Sequence, residues 1–377
     1  MTELGTPGPT VALVHDYLTQ RGGAERVVLS MLKAFPGAPL HTSLYDAQGT
    51  YPEFRTATIR TSPLDRSSLL RTHHRLALPF LAPAFGRQRI EADVVICSSS
   101  GWAHGVGVGA GARKVVYCYS PARWLYDGRR YLGPARAAMA RIAVAASPPL
   151  VRWDRKAAAT ADRYLTLSTA VRERIRDIYG IEAEILHPPP ILDPTGPSHA
   201  PTDVEPGFFL CVSRLLPYKN VDAILAAFAD LTSERLVVVG SGPERERLAA
   251  VAGPNVRFLG RVADEELRWL YRECVAVVAA SYEDYGLTPL EGAVFGRPAV
   301  VLRAGGFLET VREGATGVFF DEPDPRRLVP ALRTALTTEW SRSDLQDQAE
   351  RFSEDRFVRR LREIVAEEAR GGPGGAR

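Results

Sequence analysis

The chain has 377 residues, 45% apolar and 24% charged, a length that predicts two domains and a composition that fits an ordinary globular protein. No apolar run reaches the roughly 18 residues of a membrane span, and the N-terminus lacks the basic-then-apolar block of a secretory signal, so a cytoplasmic protein is expected. Net charge is only +3, but residues 1–190 carry 24 Lys/Arg against 15 Asp/Glu and the remainder 23 against 29, so the two halves are expected to meet different partners.

After a loose start over residues 1–9, apolar β-type runs alternate with helical patterns. VALVH (11–15) predicts a strand and Gly23 to Phe35 a helix; ADVVICSS (92–99), KVVYCYS (114–120) and RYLTLS (163–168) predict further strands. Their apolar character is continuous rather than alternating, which implies burial on both faces and hence parallel sheets covered by helices. HPPPILDPTGPSHAPTDVEPG (187–207) holds seven prolines, a linker composition. The α/β rhythm then restarts with FFLCVS, a helix from about 219 to 232, LVVVGS, VRFLG, VAVVAAS and PAVVLR. The expected organisation is α/β: a Rossmann-like domain over 1–190, a Pro-rich linker over 191–206 and a second Rossmann-like domain over 207–345. A C-terminal helix over 346–370 packs back on the first domain, with an amphipathic pattern from Arg351 to Arg370, and a disordered tail covers 371–377. Two doubly wound domains would face each other across a cleft lined by loops that follow strands. The four cysteines, Cys97, Cys118, Cys211 and Cys274, form no CxxC pair and sit in apolar runs, as core thiols do.

Three features of the second half follow strands. Arg214 and Lys219, one of only four lysines, lie between FFLCVS and a helix start; two fixed cations beside free helix amides suit a diphosphate, the alternative being a solvated surface pair. Ser241-Gly242-Pro243 reads as a strand, a glycine turn and a helix with proline at its first position, so that a ligand can approach the backbone; the alternative is a plain tight turn. The dinucleotide fingerprint is broken, because Arg245 stands at its third glycine position. In SYEDYGLTPLE, Glu283 falls on the loop past a strand. Thr288 is placed as the N-cap of the next helix, with Pro289 at the first helical position and Glu291 in the first turn. Thr288 and Glu291 could equally form a purely structural capping box.

Arg214, Lys219 and the Glu283-to-Glu291 spacing together resemble the retaining glycosyltransferases of family 4, with the GT-B fold. HDYLTQRGGAER near the start, WDRKAAATADRYLTLS, VGSGPERERL, VRFLGRVADEEL and AGGFLETVREGATGVFF extend the likeness in order over roughly residues 11–340. HDYL, GGAER and PARWLY look like a bacterial subgroup that includes mannosyltransferases of polysaccharide assembly. The resemblance implies that Arg214 and Lys219 neutralise the diphosphate of a GDP- or UDP-sugar as it leaves, and that Glu283 holds hydroxyls of the transferred sugar. It implies that Glu291 binds the ribose, that Gly22, Gly23 and the amides of Leu287 and Thr288 meet phosphate, that Ser241 and Gly242 belong to the nucleotide-binding set, and that the base lies against the loop from Gly260 to Val262, with Arg261. No cofactor or metal is implied, with two cations and helix dipoles in their place. Many relatives carry histidine where this chain has Tyr119; a phenol is a poor base at neutral pH. His15, His104 and Arg123 are further candidates on the acceptor or sugar side, with core packing or surface charge as the alternative for each.

Seven arginines lie between Arg55 and Arg89 with Asp65 the only acid, beside the apolar run LALPFLAPAF. One reading is a peripheral contact with an anionic membrane or a lipid-linked acceptor; the other is a solvated basic face. No recognition motif accompanies the charge, so no nucleic-acid partner is expected. The function that follows is transfer of a sugar, mannose as first guess, to a glycan, lipid-linked or small-molecule acceptor. A catalytically silent sugar-nucleotide-binding subunit and a UDP-sugar epimerase are the rivals.

Overall fold

A computed structural model describes residues 8–126, 148–190 and 192–371. Residues 1–7, 127–147, 191 and 372–377 lie outside that range. The chain divides into two units, Met1–Pro188 with Glu354–Arg377, and Pro189–Ser353.

In the first unit seven parallel strands run in the order β3-β2-β1-β5-β7-β8-β9. The outer three on one side are β1 (Val11–His15), β2 (Leu40–Thr42) and β3 (Ile59–Thr61). The others are β5 (Val94–Ser99), β7 (Arg113–Cys118), β8 (Arg163–Thr166) and β9 (Glu184–Ile185), while β4 (Arg89–Ile90) and β6 (Gly107–Val108) form a separate two-stranded sheet. Every residue of β5 is buried, the result expected of a continuous apolar strand covered on both faces. The helix Glu354–Arg370 returns to this unit. Phe357, Leu361, Ile364 and Val365 recur at helical spacing and are buried; Phe357 meets the Tyr117 ring edge-on at 5.9 Å. Its start is held by Ser30 and Lys33, which each donate to Glu354 at 2.7 Å. The amphipathic pattern read from Arg351 onward is broken at Phe352 and Ser353: Arg351 ends the preceding helix, Arg342–Arg351, and Phe352 turns inward to meet the Tyr285 ring.

The second unit has six parallel strands ordered β12-β11-β10-β13-β14-β15. They are β10 (Phe208–Val212), β11 (Leu236–Val239), β12 (Val256–Gly260), β13 (Cys274–Ala279), β14 (Ala299–Leu302) and β15 (Gly317–Phe320). Its core clusters lie on both sheet faces, one around Phe209, Phe228, Val238 and Leu332, the other around Phe208, Leu210, Leu270 and Tyr271. The proline-rich segment is laid along this unit by arginines. Arg268 donates to Asp193 O at 2.7 Å and Pro197 O at 3.2 Å, Arg257 donates to Asp203 O at 2.8 Å, and Leu192 enters the core. Prolines leave carbonyls without a matching N–H, and guanidinium groups satisfy them. All four cysteines are buried and free, and burial pushes the thiols of Cys97, Cys211 and Cys274 to about 12, which suits core packing.

Candidate active site

In the second unit strand order reverses between β10 and β13: the chain runs outward from β10 through β11 to β12, then crosses back to β13. A crevice opens beyond the carboxyl ends of two strands at such a point. Lys219 follows β10 and Glu283 follows β13, and the Lys219 ammonium donates to Glu283 Oε1. Ser281 donates to the same carboxylate oxygen. The pair keeps solvent access, with side chains 11% and 25% exposed.

Three devices hold it in place. Asn220 is left-handed (φ 50°) and its side chain donates to Ala280 O at 2.9 Å, tying the loop after β10 to the end of β13. Gly305 and Gly306, after β14, lie under the Glu283 loop: Gly306 N donates to Glu283 O at 2.8 Å, and a Cβ on either glycine would collide with the carbonyl of Glu283 or Tyr285. Arg214 donates to Tyr218 Oη at 3.2 Å, and the Tyr218 ring lies 5.1 Å from Lys219 Nζ.

Ser241 and Arg261 follow the next two strands, and Arg261 Nε donates to Ser241 Oγ at 3.1 Å. Gly240 and Gly242 are needed for a reason internal to the fold. The loop after β11 presses on Ser213 and Leu215, whose backbone carbonyls a Cβ would strike, and Leu215 N donates to Ser241 O at 3.0 Å. Pro243 does not open a helix: the next one runs Arg245–Val251 from an N-cap at Glu244. Val262 packs against the core.

The helix after β13 runs Leu287–Val294 from an N-cap at left-handed Gly286 (φ 101°). Thr288 and Pro289 are therefore the second and third helical residues, and no Thr288–Glu291 box forms. Packing overrides the local cap signal, because Phe307 and Thr310 fill the space where a side chain at 286 would stand. Glu291 lies past the first turn, is buried, and accepts from Tyr271 Oη. The Tyr271 ring stacks on Phe295, 5.5 Å between centroids. Ser281, Asn220, Tyr271 and the Gly305-Gly306 pair escaped the sequence reading. Only asparagine directly before a helix and a double glycine after a strand were legible signals.

In the first unit the order reverses between β1 and β5. His15 ends β1, and its Nδ1 lies 2.9 Å from Ser98 Oγ; Ser98 Oγ is 2.9 Å from Tyr119 Oη, which donates to Ala24 O at 3.1 Å. Nε2 of His15 is 3.9 Å from Glu25 Oε1, and both side chains are 2% exposed. Burial by itself lowers the His15 pKa, but the hydrogen bond and charge of Glu25, with Asp16, outweigh it and hold the value above the ordinary one. Asp16 is buried and accepts from the backbone N–H of Ser100, Trp102 and Ala103 at 2.6, 3.2 and 2.6 Å, fixing the loop after β5. Burial pushes its carboxyl up, against the pull of His15 and those amides.

Gly22 is the extended N-cap and Gly23 the first residue of the helix Gly23–Ala34. The Glu25 carboxylate folds back so far that a Cβ on Gly22 would meet its Oε2. Burial also pushes the Tyr119 phenol far up, so it serves here as a hydrogen-bond donor. His104 sits apart. It is buried, with Nδ1 3.0 Å from Ser99 Oγ, Nε2 3.1 Å from Asp154 Oδ1, and the Trp153 ring 5.7 Å away. Arg123 opens the short helix Arg123–Tyr126.

Comparison with known proteins adds the family context. Residues 198–352 match the family model described as Glycosyl transferases group 1. A D-inositol 3-phosphate glycosyltransferase of a Nocardioides species is 33% identical over 184 residues, 41% of this chain and 40% of that one. O-antigen chain mannosyltransferase C of Escherichia coli is 30% identical over 169 residues, 43% of this chain and 45% of that one. The chain thus spans under half the length of the curated relatives it matches. HepE of Anabaena, solved with UDP-glucose, superimposes over 95% of this chain and 99% of its own with a TM-score of 0.69 at 18% identity. No helix among the described residues is long and apolar enough to cross a membrane. The fold is GT-B, with two doubly wound α/β units, and the second carries the glycosyl transferases group 1 pattern.

Proposed function

We propose that the chain is a retaining, metal-independent glycosyltransferase that takes a GDP- or UDP-sugar at the second unit's switch point. The observation that carries this reading is the Lys219–Glu283 pair, brought together from the two strands where the order reverses and still open to solvent. Cleaving a sugar–phosphate bond builds negative charge on the leaving diphosphate and positive charge on the sugar ring. On donor binding Lys219 exchanges Glu283 for the diphosphate, Arg214 adds a second cation, and the freed Glu283 carboxylate accepts from sugar hydroxyls. Arg261 and Ser241 flank the base, and Glu291 braces the ribose side through Tyr271. The N-terminus of the helix Leu287–Val294 points its amides at the phosphates. Attack comes from the face that the diphosphate leaves, the retaining course that the resemblance to family 4 implies.

Mannose is the first choice of sugar, supported by the likeness to the O-antigen mannosyltransferase. The acceptor is a glycan, a lipid-linked sugar or a small molecule. The arginine-rich stretch Arg55 to Arg89 is taken to touch an anionic cytoplasmic membrane face, in keeping with exposed Leu69, Leu76 and Phe80.

A thermal-shift panel of GDP- and UDP-sugars tests the donor assignment. One nucleotide series should raise the melting temperature in proportion to ln(1 + [L]/Kd). No shift with any sugar nucleotide rejects the proposal. Free sugar appearing without an acceptor would turn the assignment toward the epimerase.

A further inference from the structure

The first unit contains a cavity to which the transfer proposed above assigns no group. It measures about 1090 Å³, just above the roughly 300–1,000 Å³ typical of ligand pockets. It lies between the helices Leu78–Gly86 and Pro148–Ala158 and the loop before β6, with Leu78, Ala82, Trp102, Val106, Leu150 and Trp153 among its walls. Three cations line it, Arg87, Lys114 and Lys156, and no carboxylate does among the described residues.

Lys114 is the informative one. It is 2% exposed, and its ammonium donates to His104 O at 3.1 Å and Thr160 Oγ1 at 2.7 Å. Both acceptors are neutral, and the carboxylate whose charge reaches Lys114, Asp162, accepts from the Lys114 backbone N–H at 2.7 Å and is paired with Arg113 at 2.9 Å. A buried ammonium that hydrogen-bonds only neutral oxygens is costly, and two hydrogen bonds leave one of its three N–H groups for a further acceptor. Arg87 and Lys156 are exposed and add positive charge at the cavity. Phe80, on the cavity's own helix, is 53% exposed. Apolar walls around a buried ammonium suit a molecule that is a hydrocarbon chain at one end and an anion at the other.

We propose that this cavity binds a single-chain anionic amphiphile, its chain against Trp102, Trp153 and Leu150 and its carboxylate or phosphate head on Lys114. The site stands independently of the transferase reading, and it shares Arg87 and Phe80 with the membrane contact.

The full chain is titrated with cis-parinaric acid, read by energy transfer from tryptophan. Saturable binding is expected, with the methyl ester at least about tenfold weaker, the loss that one ion pair of 1.4 kcal/mol accounts for. Lys114→Met should bind acid and ester alike, and Ala82→Phe, which fills the cavity, should bind neither; melting curves of both variants check that the unit is folded. Dodecyl phosphate and phosphatidylglycerol vesicles are then offered as competitors. Displacement by the first supports the proposal, and displacement by vesicles alone, whose lipid carries two chains, overturns it. Absence of saturable binding, or equal affinity for acid and ester in the native chain, overturns the proposal.

Discussion

The two units place charged groups at the same topological position and bury them to opposite degrees. In the second unit the reversal point carries an ammonium–carboxylate pair that solvent reaches; in the first it carries His15, Asp16 and Glu25 under a cover of backbone. Shared topology therefore fixes where polar side chains gather, and the loops decide whether the gathering is open to a ligand or serves as a brace. Around Glu283 the glycines at 305 and 306 let a neighbouring loop lie against the backbone carbonyls of Glu283 and Tyr285 and hold the Glu283 loop in place. Around His15 the Asp16 carboxylate draws three amides over the site and closes it.

Substitutions can break this contrast. The largest effect on folding is expected at the closed site: His15→Ala takes the imidazole away from buried Glu25, to which Gln20 Nε2 still donates at 3.0 Å, and should cost about 3–5 kcal/mol by urea unfolding. Glu283→Gln, at the open site, should cost under about 1 kcal/mol in the same assay. Similar losses at both would erase the distinction. The largest effect on activity is expected at Lys219→Ala, which should lower kcat about 10²–10³-fold, by analogy with loss of one charge-stabilising donor, while the melting temperature stays near that of the native chain. Ordinary turnover in that variant would remove the second unit's pair from the chemistry.

A smaller effect sharpens the contrast through pH. The folded pKa of His15 is raised above its unfolded value, so its stabilisation is complete below about pH 6.5 and is lost as pH rises through the folded value. Asp16, raised as well, contributes in the same sense from a lower starting pH. Melting temperature should fall between pH 6 and 9 in the native chain and fall less in His15→Gln; parallel curves would show that the imidazole carries no extra proton in the fold. The smallest effect belongs to a surface network. Arg360 pairs with Glu184 at 2.8 Å and Glu367 at 2.8 Å, and Arg360→Ala should cost about 0.5–1 kcal/mol, diminishing at high salt.

Legibility in the sequence followed burial. Strands covered on both faces, such as Val94–Ser99 and Cys274–Ala279, announce themselves as apolar runs, and with them the loops where Lys219 and Glu283 stand. Leu40–Thr42 and Ile59–Thr61 are three residues each, with Arg60 and Thr61 exposed at the sheet edge, and carry no such pattern. Local cap rules misplaced the start of the helix at Leu287 and the role of Pro243, because the glycines at 286 and 242 answer to neighbours from distant sequence. Asp16 and Glu25 were invisible for the same reason: a carboxylate in a polar stretch looks solvated until the fold closes over it.

The return of the final helix to the first unit has a consequence for how the molecule is made. As the chain leaves the ribosome, residues up to 188 emerge without the segment bearing Phe357, Leu361, Ile364 and Val365, and the whole of Pro189–Ser353 is synthesised before that segment appears. The later unit can thus mature first, while the earlier one keeps an uncovered apolar seam beside Tyr117 until translation is nearly finished. A nascent chain arrested at residue 353 should bind a holdase chaperone through that seam and release it once the last helix is added.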